Sequence, residues 1–312
     1  MIVLVLALVV GWRWHFKVIE NRSILLELAA KADALRKQQS PTSVNSVLVS
    51  PPGRSLPENP SLLLADARPA RFDPKAPVVP DASMIETLPI ANAGSVLAEA
   101  MLVIEKYTST PNWQDRAMYV FEPDRVGKLM EDYYEIQHGV DPVMGALIDK
   151  SRYRIDGTEI VLITYRSARP DGKLEIALRK NSLGRLVIDW ESFVGYSEKS
   201  LTELMKTKSV KPVLVRAMVK LDDYFNYEFS NASELLSLKL SVPDSDGFIN
   251  AYCKRDSIIG KWITEDLGDD PASSLLKGYT LWVAYPESAQ SNRCLNLVQI
   301  AAGRWLIVPP KN

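Results

Sequence analysis

Few residues in the 312-residue chain have types and spacing suited to chemistry. Asp189-Trp190-Glu191-Ser192-Phe193 puts two carboxylates around a tryptophan at the end of an expected strand. Alternate strand residues share a face, so Asp189 and Glu191 point the same way. Two carboxylates held together push one pKa upward, which is useful for acid–base work. The commoner outcome is a solvated carboxylate rim with Trp190 turned into the core, and that is the expectation here. Tyr133-Tyr134 ends a helix and is expected to pack over the same domain. A second dense cluster runs from Asp222 through Asp223, Tyr224 and Asn226 to Phe229. Its carboxylates and amide are of the types that hold Ca²⁺, but the EF-hand spacing and its glycine are absent. The ligand-binding candidates are therefore Asp189, Trp190, Glu191, Tyr133 and Tyr224, with no catalytic residue assigned.

Cys253 and Cys294 fall on different expected strands that could be neighbours. A disulfide between them suits an oxidising compartment, and two buried thiols suit the cytosol. Both readings stay open. The chain holds two His and two Cys, too few for a disulfide scaffold or a histidine-based metal site. It has no Gly-rich phosphate loop, no G-x-S-x-G elbow, no Cys-x-x-Cys and no His-Glu-x-x-His. Neither a cofactor nor a metal is expected. With 37 Lys and Arg against 38 Asp and Glu, the charge balance excludes a generally polybasic nucleic-acid binder. A hydrophobic fraction of 46% is enough to build a core.

The elements that must position these residues divide into four stretches. Residues 1–40 read as a membrane anchor with a helical extension. Ile2 to Val10 is apolar without a break, and Trp12, Arg13, Trp14 and Lys17 follow. Indole rings beside basic side chains are the composition of a membrane–water interface. The run is shorter than the roughly 20 residues of a span, so it reads as the second half of a single-pass helix. Basic residues after the run place the remainder in the cytoplasm by the positive-inside rule, and a longer basic N-terminus would reverse that. The side stays open, with an extracytoplasmic module preferred. Within 18–35, Val18, Leu25, Ala32, Leu28 and Leu35 fill five of six heptad seam positions and Asn21 the sixth. Self-association through a short parallel coiled coil follows from that pattern.

Residues 41–91 carry ten of the 20 prolines. Proline removes backbone donors and fixes φ, so this stretch reads as an extended, disordered linker. Residues 92–196 predict three helices, with an apolar stripe at Leu97, Met101, Ile104 and Tyr107 on the first. Strands follow at 159–167, at Leu174, Ile176 and Leu178, and at 185–190, with Asp171-Gly172 as the first turn. Residues 197–312 predict a connecting helix, a long strand from Val213 to Phe229, and strands around Leu238 and over 248–254. A helix at 255–267 and two last strands complete this half.

The fold class is thus α+β. Helices followed by a curled antiparallel sheet resemble the cone-shaped fold of the nuclear transport factor two superfamily. The resemblance rests on element order over about 100 residues. Enzymes of that superfamily place an acid/base pair such as Asp with His in the cone. Here the only His of the region is His138, beside Gly139 in an expected loop, which counts against catalysis. Three strands, a helix and two strands resemble an OB-like five-stranded barrel. Residues 212–308 hold nine Lys and Arg against 12 Asp and Glu, the wrong sign for a phosphate backbone. The arrangement also resembles bacterial membrane-anchored proteins recognisable by Asp189-Trp190-Glu191 and Asp223-Tyr224-Phe225-Asn226. The functional expectation is a membrane-tethered, non-enzymatic binding or scaffolding protein with a protein partner and no nucleic acid. The alternative is a ligand-binding or enzymatic protein using the pocket of the cone.

Overall fold

The computed structural model describes residues 72–81, 84–90, 93–169, 171–243 and 247–308. The expected anchor with Trp12, Arg13, Trp14 and Lys17, and the seam over 18–35, lie outside the described residues. Among the described residues no helix is long and apolar enough to cross a membrane.

Helix α1, Gly94–Ser109, turns Ala100, Ile104 and Tyr107 into the core, and Pro111 follows its end. Helix α2, Trp113–Arg116, passes into a tight turn at Ala117–Tyr119. Helix α3, Pro123–Glu131, starts with Pro, whose fixed φ suits a first turn. It buries Val126, Leu129 and Met130, then widens over Asp132–Ile136, where the Gln137 N–H reaches five residues back to the Asp132 carbonyl. The widening carries Tyr133 and Tyr134 onto the core.

An antiparallel sheet follows, in the order β1 (Ile85–Thr87), β2 (Leu147–Ile155), β3 (Thr158–Arg166), β4 (Lys173–Lys180) and β5 (Leu186–Ile188). The turn between β3 and β4 uses Gly172 at φ +72°, a conformation glycine adopts without steric cost. Alternation assigns the two faces. Val161, Ile163, Leu174, Ile176 and Leu178 pack under the helices, whereas Ile155, Ile160 and Ala177 pack against Leu306 from the chain's C-terminal part.

Two short helices, α4 (Trp190–Val194) and α5 (Leu201–Thr207), lead to the second half. The Ser200 hydroxyl caps α5 by accepting from the Glu203 N–H at 3.1 Å. The barrel comprises β6 (Val213–Asp222), β7 (Leu235–Ser241), β8 (Phe248–Lys254), α6 (Ile258–Leu267), β9 (Lys277–Ala284) and β10 (Cys294–Ala302). It closes in the order β10-β8-β7-β6-β9, with β8 and β10 parallel and the other pairs antiparallel. Val215, Ala217 and Val219 alternate into its interior with Leu238, Ile249 and Leu281.

Three expectations are corrected, and one strand lies where none was expected. The strand expected over 185–190 stops at Ile188, because Asp189 caps a helix through its Oδ1 and the Ser192 N–H at 3.1 Å. The long strand from Val213 ends at Asp222, and Tyr224 sits in the loop before β7. Strand β2 had no expectation. Its sequence, LIDKSRYRI, lies at the solvated side of the sheet and lacks apolar alternation. The last part of the Pro-rich stretch is docked rather than solvated. Phe72 meets the Trp282 ring edge-on, the Ile300 N–H donates to the Val78 carbonyl at 2.9 Å, and β1 pairs with β2.

The described residues all belong to one compact unit, and Trp305 joins its two halves. Its indole Nε1 donates to the Ala217 carbonyl on β6 at 3.2 Å. The ring lies 2.9 Å from where a Cβ on Gly195 would sit and 3.0 Å from one on Gly278. A side chain at either glycine would displace the indole.

Candidate functional site

Asp189 caps the short helix that carries Glu191, so the two do not share a strand face, and neither forms a solvated rim. Asp189 is 5% exposed and Glu191 7%, and each carboxylate faces guanidinium groups. Asp189 Oδ2 pairs with Arg179 of β4 at 2.6 Å, while its Oδ1 caps α4. Glu191 Oε2 accepts from Arg125 of α3 at 2.5 Å, and Oε1 lies 3.6 Å from Arg216 of β6. Arg125 also reaches Glu122 at 2.6 Å. Arg216 is 2% exposed, in a strand otherwise written Val-Leu-Val-Arg-Ala-Met-Val. Its Nη1 donates to the Tyr196 carbonyl at 2.6 Å and its Nε to the Trp305 carbonyl at 2.9 Å. Burial draws the Arg216 pKa below its ordinary value, while Glu191, then Asp189, pull it back up. The carboxylates and cations thus offset one another's charge, although Glu191 Oε1, Arg125 Nη1 and Arg179 Nε are buried without a hydrogen-bond partner.

Trp190 and Tyr133 meet edge to face with ring centroids 5.4 Å apart, and Trp190 Nε1 donates to the Tyr134 hydroxyl at 3.2 Å. Tyr134 in turn donates to Asp141, which Arg116 holds at 2.5 Å. Burial, first, and the neighbouring Tyr107 and Asp141 push the Tyr134 phenol well above its usual range, so it stays protonated. The space between helices and sheet is filled by these rings with Tyr107, Phe193, Ile163 and Ile176. Tyr224 does not join them. It lies half exposed in the β6–β7 loop, against the outside of the barrel, where its carbonyl accepts from Tyr252.

The cysteines are not bonded. Cys294 stands in register with Asn250 of β8, and Cys253 lies three residues further along that strand. Cys253 packs inside the barrel and Cys294 outside it, against Tyr252 and Phe229, so of the two open readings the structure shows two free, buried thiols. Desolvation pushes the Cys253 thiol up to about 12.

A cleft of about 550 Å³ opens on the other face of the sheet, between it and the barrel. Its floor is apolar, from Ile155, Ile160, Leu162 and Ala177 to Leu306, with Met218 and Gly278 on the barrel side and Ile85 on the rim. Ser192 and Arg169 also line it, beside the buried ion-pair network. Of its four cations, Arg169 lies over the Trp305 ring and donates to the Phe193 carbonyl, Lys277 pairs with Asp266 at 2.7 Å, and Arg304 has its own partner. On β4 and the turn before it, Asp171, Lys173 and Glu175 share the cleft face. Glu175 is exposed at the cleft edge; its pKa is raised first by desolvation and next by Asp171, against the opposing pull of Lys173 and Arg169. The sequence reading missed Glu175, Arg216 and Trp305. An arginine at the centre of an unbroken apolar strand was the available signal for Arg216.

Among the described residues no cluster of three or more His, Cys, Asp or Glu is placed to hold a metal ion. No protein-family model, curated protein or solved structure matches the chain.

Glu191→Ala removes from buried Arg216 and Arg125 the carboxylate they share and is expected to cost about 3–5 kcal/mol. The half-exposed Glu122→Ala is expected to cost less than about 1 kcal/mol. Urea unfolding of both variants checks this, and equal losses would refute the central role of Glu191.

Proposed function

We propose that the chain is a membrane-tethered, non-enzymatic binding or scaffolding protein whose module receives a protein partner in the cleft between sheet and barrel. The observation carrying this reading is the cleft. At about 550 Å³ it has the size and apolar lining of a binding site, with charges confined to particular walls. The engagement of Asp189 by Arg179, and of Glu191 by Arg125 and Arg216, supports the non-enzymatic part. The filled space under the helices weighs against a ligand in the cone, and the open face of the sheet takes its place.

The same reading takes the first half as cone-like, on the strength of helices covering one face of an antiparallel sheet. It takes the barrel as OB-like, because three strands, a helix and two strands close with the third and fifth parallel. The anchor over residues 1–40 holds the module at the membrane, with the module on the extracytoplasmic side.

Two experiments test this function. A photo-crosslinking phenylalanine at Leu276 on the cleft, in full-length protein in its native cells, is expected to trap one discrete protein species. The same probe at the fully exposed Tyr227 is expected not to trap it. Absence of any protein adduct at Leu276 would overturn the binding role. For the side of the membrane, a cysteine placed at Tyr227 is expected to react with an impermeant maleimide in intact cells. The buried native thiols stay silent in that assay. Labelling only after lysis would reject the extracytoplasmic module.

A further inference from the structure

One edge of the sheet is left half covered. Strand β1 pairs with residues 153–155 of β2, and the Leu88 N–H extends that cover to the Arg152 carbonyl at 2.9 Å. Over residues 147–151 no strand lies on the outer side of β2 among the described residues. Even-numbered residues of β2 turn their backbone groups outward, as Arg152 does to Leu88 and Asp156 to Met84. Lys150 continues that row with no backbone partner among the described residues. Apolar side chains accompany the gap. Leu147 and Ile148 are exposed on β2, and Ile136, Val140 and Val143 on the stretch leading to it, Val143 at 84%. That stretch is fixed: Tyr133 donates to the Val140 carbonyl at 2.9 Å, Arg116 holds Asp141, and the Gly145 N–H donates to the Arg166 carbonyl at 2.8 Å. An open strand edge among apolar side chains suits an added strand. It does not suit a lipid surface, where unpaired backbone groups are costly.

The chain carries a segment of matching composition. Residues 42–50 read Thr-Ser-Val-Asn-Ser-Val-Leu-Val-Ser, uncharged, without Gly or Pro, and bounded by Pro41 and Pro51. They hold every valine of residues 41–71, which is the composition of a strand. Left in water, such a segment is an aggregation hazard. The 21 residues 51–71 join it to Phe72, which meets Trp282 on the barrel. Between Phe72 and Leu88 the chain already passes from Trp282 to Arg152, where the open edge begins, in fewer residues than those 21. The join is therefore long enough to bring the segment back to the edge. It also holds the segment at an effective concentration on the order of 1 mM, which a separate partner lacks.

We propose that residues 42–50 of this same chain add as a strand to the outer edge of β2 at 147–151, covering Leu147 and Ile148. The inference stands apart from the occupant of the cleft. The tether to the residues before Pro41 then starts at the sheet edge instead of at the barrel.

Hydrogen exchange in the full-length protein reads the edge directly. The Lys150 amide is expected to be protected. Leu48→Pro, which removes a backbone donor from the added strand, is expected to speed its exchange about tenfold while Val161 inside the sheet keeps its rate. Equal Lys150 exchange in the two proteins overturns the proposal. A photo-crosslinking phenylalanine at Ile148 names the occupant, in an equal mixture of isotope-labelled and unlabelled full-length copies. The expected adduct joins Ile148 to residues 42–50 of its own copy. An adduct to the other copy, to another protein, to lipid or to a different segment overturns the proposal, as does no adduct. Should the probe itself loosen the edge, seen as faster Lys150 exchange in that variant, the same probe at Val143 decides between these outcomes.

Discussion

The two halves of the module depend on one buried charge, the guanidinium of Arg216. It stands on the outer face of β6, where an apolar side chain would have sealed the barrel as an independent body. A buried cation without partners is too costly to keep. Arg216 is tolerable only because the other half supplies the Tyr196 carbonyl and the Glu191 carboxylate, and the C-terminal part of the chain the Trp305 carbonyl. Glu191 is likewise tolerable only because Arg125 and Arg216 meet it. Each half completes the solvation of the other. The barrel and the sheet are therefore held in one arrangement rather than left to rock about a linker.

That constraint forms the cleft. Trp305, held between Gly195 and Gly278, fixes the path of the chain from β10 towards Leu306, and Leu306 closes the floor against Ile155 and Ile160. Arg169 then lies on the Trp305 ring beside the network. A cleft shaped this way exists before anything enters it, so binding need not order it first. The docked residues 72–81 and 84–88 touch both the barrel, through Val78, and the sheet, through β1. They thereby bring the Pro-rich stretch onto the same body.

Much of the fold is legible wherever one face of an element is buried and the other wet. The alternation of Leu174, Ile176 and Leu178, the Asp171-Gly172 turn and the Ser200 cap each state their structure locally. β2 is not legible that way, because Asp149, Lys150, Arg152 and Arg154 face water or make ion pairs along it. The site is less legible still. Asp189 and Glu191 share a locality because of their spacing, but their burial depends on arginines from α3, β4 and β6, distant in sequence. Adjacent residues carry no mark of such pairings. The separation of Cys253 and Cys294 is equally a matter of register, since one residue of shift on β8 exchanges inside for outside. Glu175 is invisible for a related reason: its neighbours Leu174 and Ile176 identify the strand, and only the fold shows that its face is a cleft.

The central claim is that this ionic lock holds sheet and barrel as one body with the cleft already formed. The most direct measurement is the distance distribution between nitroxide labels on cysteines placed at Lys173, on the cleft wall of the sheet, and at the exposed Leu275, next to the cleft residue Leu276, in the full-length protein. The buried native thiols do not compete for the label. A single narrow distance, unchanged between low and high salt because buried pairs are poorly screened, is the predicted result. A broad or two-peaked distribution would mean that the halves hinge, and would contradict the account.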